Sequence, residues 1–202
     1  MFSTMLAGRA RSETDGGELL LLDVIRRVAS ADHAALGELY DATSPTVFGL
    51  VRRIVGDYSA AEEVTLDVYT QVWRLASDYC EEKGTPVTWL LMIARSRAID
   101  HLRSRARRVK EQECPIEVAF DHSHPGPDPE AVAISGNRRQ IVQDILANLE
   151  PEQVATLQLA FFDGLSHGEI AAKTGIALGT VKTRIRTGMM RMRELLAGQG
   201  VL

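Results

Sequence analysis

The chain has 202 residues and a formal net charge of −4, with 45% hydrophobic and 25% charged residues. That composition fits one large or two small folded domains and excludes a collagen-like or low-complexity chain. The longest apolar stretch near the start, Leu19–Leu22, is too short for a bilayer span or a signal core, and two cysteines do not make a disulfide framework. A cytoplasmic protein with reduced thiols at Cys80 and Cys114, and no direct insertion into a membrane, is therefore expected.

Residues 1–17 are rich in Gly, Ser, Thr and Arg and read as disordered. Helical periodicity begins near Glu18, with Leu19, Leu22, Ile25 and Arg26 on one face, and breaks at Ala31-Asp32-His33. A second helix carries Leu36, Leu39, Tyr40, Val47, Leu50, Val51 and Ile54, and Gly56-Asp57 ends it. A third, capped by Ser59 or a neighbour, places Val64, Val68, Val72 and Trp73 at i, i+4, i+8 and i+9. The polar stretch Ser77–Pro86, with Gly84 and Pro86, reads as a loop long enough to suggest a function. Thr85 or Thr88 then starts a fourth helix, TWLLMIARSRAIDHLRSRARR, running to near Arg107. Leu91, Ala94, Ala98 and Leu102 form its apolar stripe, and Trp89 and Ile93 lie opposite. Past Arg95 its outer surface is almost wholly cationic.

The modest net charge hides a segregated field. Residues 95–110 hold seven bases (Arg95, Arg97, Arg103, Arg105, Arg107, Arg108 and Lys110) against one acid, Asp100. Residues 111–130 hold six acids (Glu111, Glu113, Glu117, Asp121, Asp128 and Glu130) and no Lys or Arg. With Pro115, Pro125, Pro127 and Pro129, the acidic stretch cannot build a core and reads as a linker over 109–137. It separates an N-terminal domain, 18–108, from a C-terminal one, 138–202. The latter opens with Ile141, Val142, Ile145, Leu146 and Leu149, followed by Leu157 to Phe162 as scaffold. No convincing strand or internal repeat is present, so the fold class expected is all-α, with two small helical domains.

The segment SHGEIAAKTGIALGTVKTRIRTGMMRMRELL, residues 166–196, carries the most information. Ser166 and Glu169 have the spacing of a capping box, and Gly175 stands where a helix needs a left-handed end. Gly179-Thr180 opens a second helix on which Val181, Ile185, Gly188, Met192 and Leu195 fall on one stripe. At about 100° per residue, Thr183 points away from that stripe. Lys182 and Arg186 flank it on one side, Arg184 and Thr187 on the other. This is a helix-turn-helix pattern with a cationic second helix, suited to the major groove of DNA, where arginine pairs with guanine and Lys and Thr hold phosphates or base edges.

Two other classes compete. A helix-turn-helix repressor or effector explains the C-terminus but not the Trp-bearing basic helix or the loop before it. An enzyme or zinc protein would need a constellation that is missing: Cys114, His122 and His124 have no fourth ligand at suitable spacing and lie in the linker. No phosphate-binding GxxxxGK[ST] loop and no nucleophile–base pattern is present, so neither a cofactor nor catalysis is expected.

Taken together, the segment AEEVTLDVYTQVW (61–73), the helix from Trp89 to Arg103, the stretch from Asp32 to Asp41 and the terminal helix-turn-helix closely resemble the extracytoplasmic-function (group IV) sigma factors of bacterial RNA polymerase. The resemblance covers about 18–197, and the turn IALGTVKTRIR resembles the subgroup containing the mycobacterial sigma factor K. It implies that Glu62, Glu63, Asp67 and Gln71 dock on the coiled coil of the polymerase's largest subunit. It also implies a contact with the flap of the second-largest subunit. Tyr79, Trp89, Arg95, Ser96, Arg97 and Arg103 would melt and hold the −10 element, with Tyr79 at a pocket for a flipped base. Thr180, Lys182, Thr183, Arg184, Arg186 and Thr187 would read the −35 element. The acidic linker would thread toward the RNA exit path. An anti-sigma factor, membrane-anchored, would hold the protein inactive. The sequence departs from the family pattern at Leu66, where Gln is frequent, at Ser96, where Asn is frequent, and at Ala177, a poor N-cap.

Overall fold

Helix 19–29 (α1) opens the part of the chain that a computed structural model describes, namely residue 17, 19–111 (backbone only at 109–111) and 143–198. It is followed by α2 (His33–Val55), α3 (Tyr58–Leu75), single 3₁₀ turns at Ala76–Asp78 and Glu81–Lys83, and α4 (Pro86–Glu111). After a segment outside the described residues come helix 143–147 (α5), α6 (Pro151–Phe161), α7 (His167–Thr174) and α8 (Leu178–Gly198). No strand occurs among the described residues, and the all-α expectation holds. The chain divides into two compact units, Met1–His122 and Ser123–Leu202. The expected disordered start, the acidic linker, Cys114 and the two linker histidines fall outside the described residues.

In the first unit α2 packs on α3 and α4, and α3 on α4. Val64, Val68 and Val72 of α3 are buried, as their spacing required, against Leu39, Val47 and Val51 of α2. α1 contributes Leu22, Val24, Ile25 and Val28 to the core, whereas Leu19, expected on the same face, is 66% exposed. The middle of the α4 stripe, Ala94 and Ala98, is buried as expected, but its ends differ. Leu90, Ala94, Ala98 and Ile99 are buried, while Leu91 and Leu102 are only half-buried. A helix pressed between two others buries more than one row, so a run such as Trp89–Ile93 leaves the phase of the stripe open.

The caps explain where the helices start and stop. Asp32 caps α2 by accepting from the backbone N–H groups of Ala34 (2.9 Å) and Ala35 (3.2 Å). Gly56, at φ 81°, ends α2 and donates its N–H to Arg52 O at 2.8 Å. Asp57, not Ser59, caps α3, accepting from Ala60 N–H at 2.8 Å. Thr85 accepts from Thr88 N–H at 3.3 Å, and Pro86 opens α4 at the position where a missing N–H costs least. α4 continues to Glu111, beyond the expected end near Arg107.

The turn between α1 and α2 puts Ala31 at φ 64°, a left-handed conformation unfavourable for a residue with a Cβ. It is held by Arg27, whose guanidinium donates twice to Asp32 Oδ2 (2.8 and 3.0 Å) and twice to the Glu38 carboxylate (2.8 and 2.9 Å).

In the second unit α6 and α7 both pack on α8. Ile145, Leu149, Ile170 and Val181 are buried there.

Candidate nucleic-acid interface

The helix-turn-helix forms as its residues dictate. Ser166 Oγ accepts from Glu169 N–H (3.3 Å) and the Glu169 carboxylate accepts from Ser166 N–H (2.7 Å), which closes the capping box at the start of α7. Gly175, at φ 70°, ends α7 and donates to Ala171 O at 3.0 Å. On α8, Val181 and Gly188 are buried and Ile185, Met192 and Leu195 half-buried, which is the stripe expected from the sequence. The opposite surface carries Thr180, Lys182, Thr183, Arg186 and Thr187, all exposed; Arg184 is half-buried at its edge. No carboxylate among the described residues lies within ion-pairing distance of Lys182, Arg184 or Arg186. Thr183 and Thr187 donate their hydroxyl hydrogens to the carbonyls of Gly179 and Thr183, each at 2.9 Å. Both hydroxyl hydrogens are therefore used within α8, and the Thr187 oxygen also accepts from the Gln153 amide at 3.0 Å.

The first unit brings the loop and α4 together. The Tyr79 hydroxyl donates to Gly84 O at 2.9 Å, and its ring meets Trp89 edge-on at 5.2 Å. Both rings are half-buried, so Tyr79 acts as an internal strut of the loop. Along α4, Ser96 and Arg103 are exposed. Arg95 is half-buried, and burial first, then the charge of Arg103, lowers its pKa; an arginine keeps its charge regardless. Arg97 is half-buried and donates to the side-chain oxygen of Gln71, joining α4 to α3. Met92, not singled out from the sequence, is 67% exposed on the same helix. On α3, Glu62, Glu63 and Asp67 are exposed around Leu66, itself 61% exposed, and Gln71 is half-buried.

A Sigma-70 region 2 model matches residues 39–108, and a Sigma-70 region 4 model matches 139–192. ECF RNA polymerase sigma factor SigK of Mycobacterium bovis (strain BCG / Pasteur 1173P2) is 35% identical over 176 residues, spanning 86% of this chain and 91% of the relative. This chain belongs to the ECF sigma factors. A second relative, the SigK of Mycobacterium sp. (strain JLS), is 34% identical over 180 residues, spanning 87% and 90% of the two chains. The crystal structure of Rhodobacter sphaeroides SigE in complex with the anti-sigma ChrR shares 31% identity and covers 83% of this chain and 95% of that one, with a TM-score of 0.43.

As an ECF sigma factor the protein is a DNA-binding transcription initiation factor of RNA polymerase and not an enzyme. The region 4 match contains α6, α7 and the first 15 of the 21 residues of α8, and the region 2 match runs from within α2 almost to the end of α4. Among the described residues no helix is long and apolar enough to cross a membrane, and no cluster of His, Cys, Asp and Glu is arranged to hold a metal ion. Two features of the site escaped periodicity: the hydrogen bond from Arg97 to Gln71 and one from Gln153 to Thr187 at 3.0 Å. Both join residues on different helices, and no spacing within one helix announces them.

Proposed function

We propose that the 138–202 domain reads the −35 element through Thr180, Lys182, Thr183, Arg184, Arg186 and Thr187. The 18–108 domain melts and holds the −10 element through Tyr79, Trp89, Arg95, Ser96, Arg97 and Arg103. Glu62, Glu63, Asp67 and Gln71 face the coiled coil of the polymerase's largest subunit, and the 138–202 domain faces the flap of the second-largest. The observation that carries this reading is the outer surface of α8. Exposed Lys182 and Arg186 flank outward Thr180 and Thr183, on a helix whose other side is core.

On the −10 side, capture of an unpaired base drives strand opening, and no nucleotide hydrolysis is involved. Arg95 and Arg103 supply positive potential along α4 for the displaced strand. Leu66 puts an apolar group at the middle of an acidic surface, so docking on polymerase combines charge with burial there.

In the cell the protein works in the cytoplasm and is held inactive by a membrane-anchored anti-sigma factor; the related SigE was solved with an anti-sigma bound.

Transcription in vitro from a promoter library, with bacterial core polymerase and this chain, tests the function. Initiation at defined −35 and −10 sequences only when both components are present is the result expected. Tight, polymerase-independent binding of duplex DNA without initiation would favour a repressor instead.

A further inference from the structure

A hydrogen-bond relay runs from the start of α6 to the DNA-facing side of α8. The backbone N–H of Glu150 donates to Gln153 Oε1 at 3.2 Å. A backbone N–H can only donate, so the other end of the Gln153 amide is its NH₂ group. That group donates to Thr187 Oγ1 at 3.0 Å. Thr187 has a single hydroxyl hydrogen, and it is directed at Thr183 O, 2.9 Å away. Its donor is therefore spent inside α8, and one of its lone pairs is held by α6.

The next residue fixes a second coordinate. Gly188 is buried, and a Cβ there would lie 3.0 Å from Leu157 Cδ1 and 3.4 Å from Gln153 Cβ. The glycine sets how closely α8 approaches α6. The amide–hydroxyl bond, being directional, sets the rotation of α8 about its own axis. Both constraints act within about one and a half turns of Thr183 and Arg186. Base readout requires side chains placed to a fraction of an ångström and within about 10–20°, so a small rotation of α8 changes which base edge each side chain meets.

We infer that Gln153 is a positioning residue for −35 specificity, and that Thr187, counted above among the −35 contacts, acts there by transmitting this hold on α8 and not by reading a base. This rests on the proposed reading of α8 as the −35 helix. Gln153 lies on the scaffold helix and is not itself among the residues proposed to touch DNA, although its amide reaches one of them, Thr187, at 3.0 Å.

The test uses the full-length chain with core polymerase, on promoters whose −35 base pairs are varied one at a time and, separately, on promoters varied at −10. Gln153→Leu removes the amide together with its capping role, and Thr187→Val removes the hydroxyl while leaving the cap of α6 intact. Each is expected to re-rank the −35 variants by about threefold or more at one or more positions, and the double variant to do no more than either single one, as members of one relay should. The order of the −10 variants should stay that of the wild type.

A uniform loss over all −35 variants, tracking a lowered unfolding temperature, would show a purely structural role and overturn the inference. So would additive effects, or a change with Thr187→Val while Gln153→Leu is silent, which would make Thr187 the reader. If the wild type initiates and both variants match it, the inference alone fails. If the wild type does not initiate at all, the function proposed above fails and this inference with it.

Discussion

Thr43 and Tyr69 form a buried hydroxyl pair between α2 and α3, their oxygens 2.8 Å apart. Thr43 Oγ1 donates to Leu39 O, so the Tyr69 hydroxyl donates to Thr43. Burial pushes the Tyr69 phenol up to about 12. Thr43→Val keeps the shape but leaves the phenol without an acceptor, which should lower stability by about 1–3 kcal/mol in urea unfolding. Tyr69→Phe leaves Thr43 its Leu39 partner and should cost less, and the double variant should cost less than the two singles summed. Simple additivity would mean that the pair is not coupled. Asp32 supplies a test by pH. Its bond with Arg27 first, then its bond with Ala35 N–H, hold its carboxyl below the usual range. A folded-state pKa below the unfolded one adds stability that is present above the unfolded value and lost as pH falls through the folded one. The gap in thermal midpoint between wild type and Asp32→Asn should therefore be full near neutral pH and close below the ordinary aspartate value of about 3.9. A gap that persists unchanged to strongly acid pH would contradict the ion-pair account.

At the scale of elements, the α6–α8 crossing turns on Gly188. Alanine there gains up to about 1 kcal/mol of helix propensity, set against a push on Leu157 Cδ1 3.0 Å away, so Gly188→Ala should be nearly neutral. Gly188→Val adds bulk that the crossing has no room for and should cost about 1–3 kcal/mol, with Leu157→Ala recovering part of it. Thermal unfolding of the three variants checks this, and a neutral Gly188→Val would show that α6 yields freely. The same helix shows what the sequence reveals. Val181, Ile185 and Gly188 were legible because one face of α8 meets a scaffold and the other meets solvent, a case in which a 3.6-residue period is unambiguous. The caps at Ser166, Gly175 and Gly56 were legible because each is a local event within four residues. The phase at the start of α4 was not. Apolar residues from Trp89 to Ile93 satisfy several stripes, and only packing on both α2 and α3 selects Leu90 over Leu91. Nor was the work of Tyr79, Gln71 and Gln153. Sequence placed Tyr79 at the loop by resemblance, yet its hydroxyl bond to Gly84 depends on a turn whose geometry no residue type announces.

For the whole molecule, the important property is that two units share one chain. Two weak DNA-binding surfaces joined covalently act on each other at an effective concentration in the millimolar range when the tether is short and flexible. Cleaving a protease site inserted between 112 and 142 should therefore abolish initiation at protein concentrations where the uncut chain saturates the polymerase. Activity should return only when both fragments are supplied in large excess. Full activity after cleavage would mean that polymerase alone holds the units in place. The loop ahead of α4 has a consequence on the same scale. Tyr79, tied to Gly84 and leaning on Trp89, orders residues 79–84 when the protein folds. The conformational entropy of a slack loop, about 1–2 kcal/mol per residue, is thus given up before any DNA arrives. On the proposed reading, an unpaired strand that reaches this loop meets a surface already shaped, so that less ordering remains to be opposed.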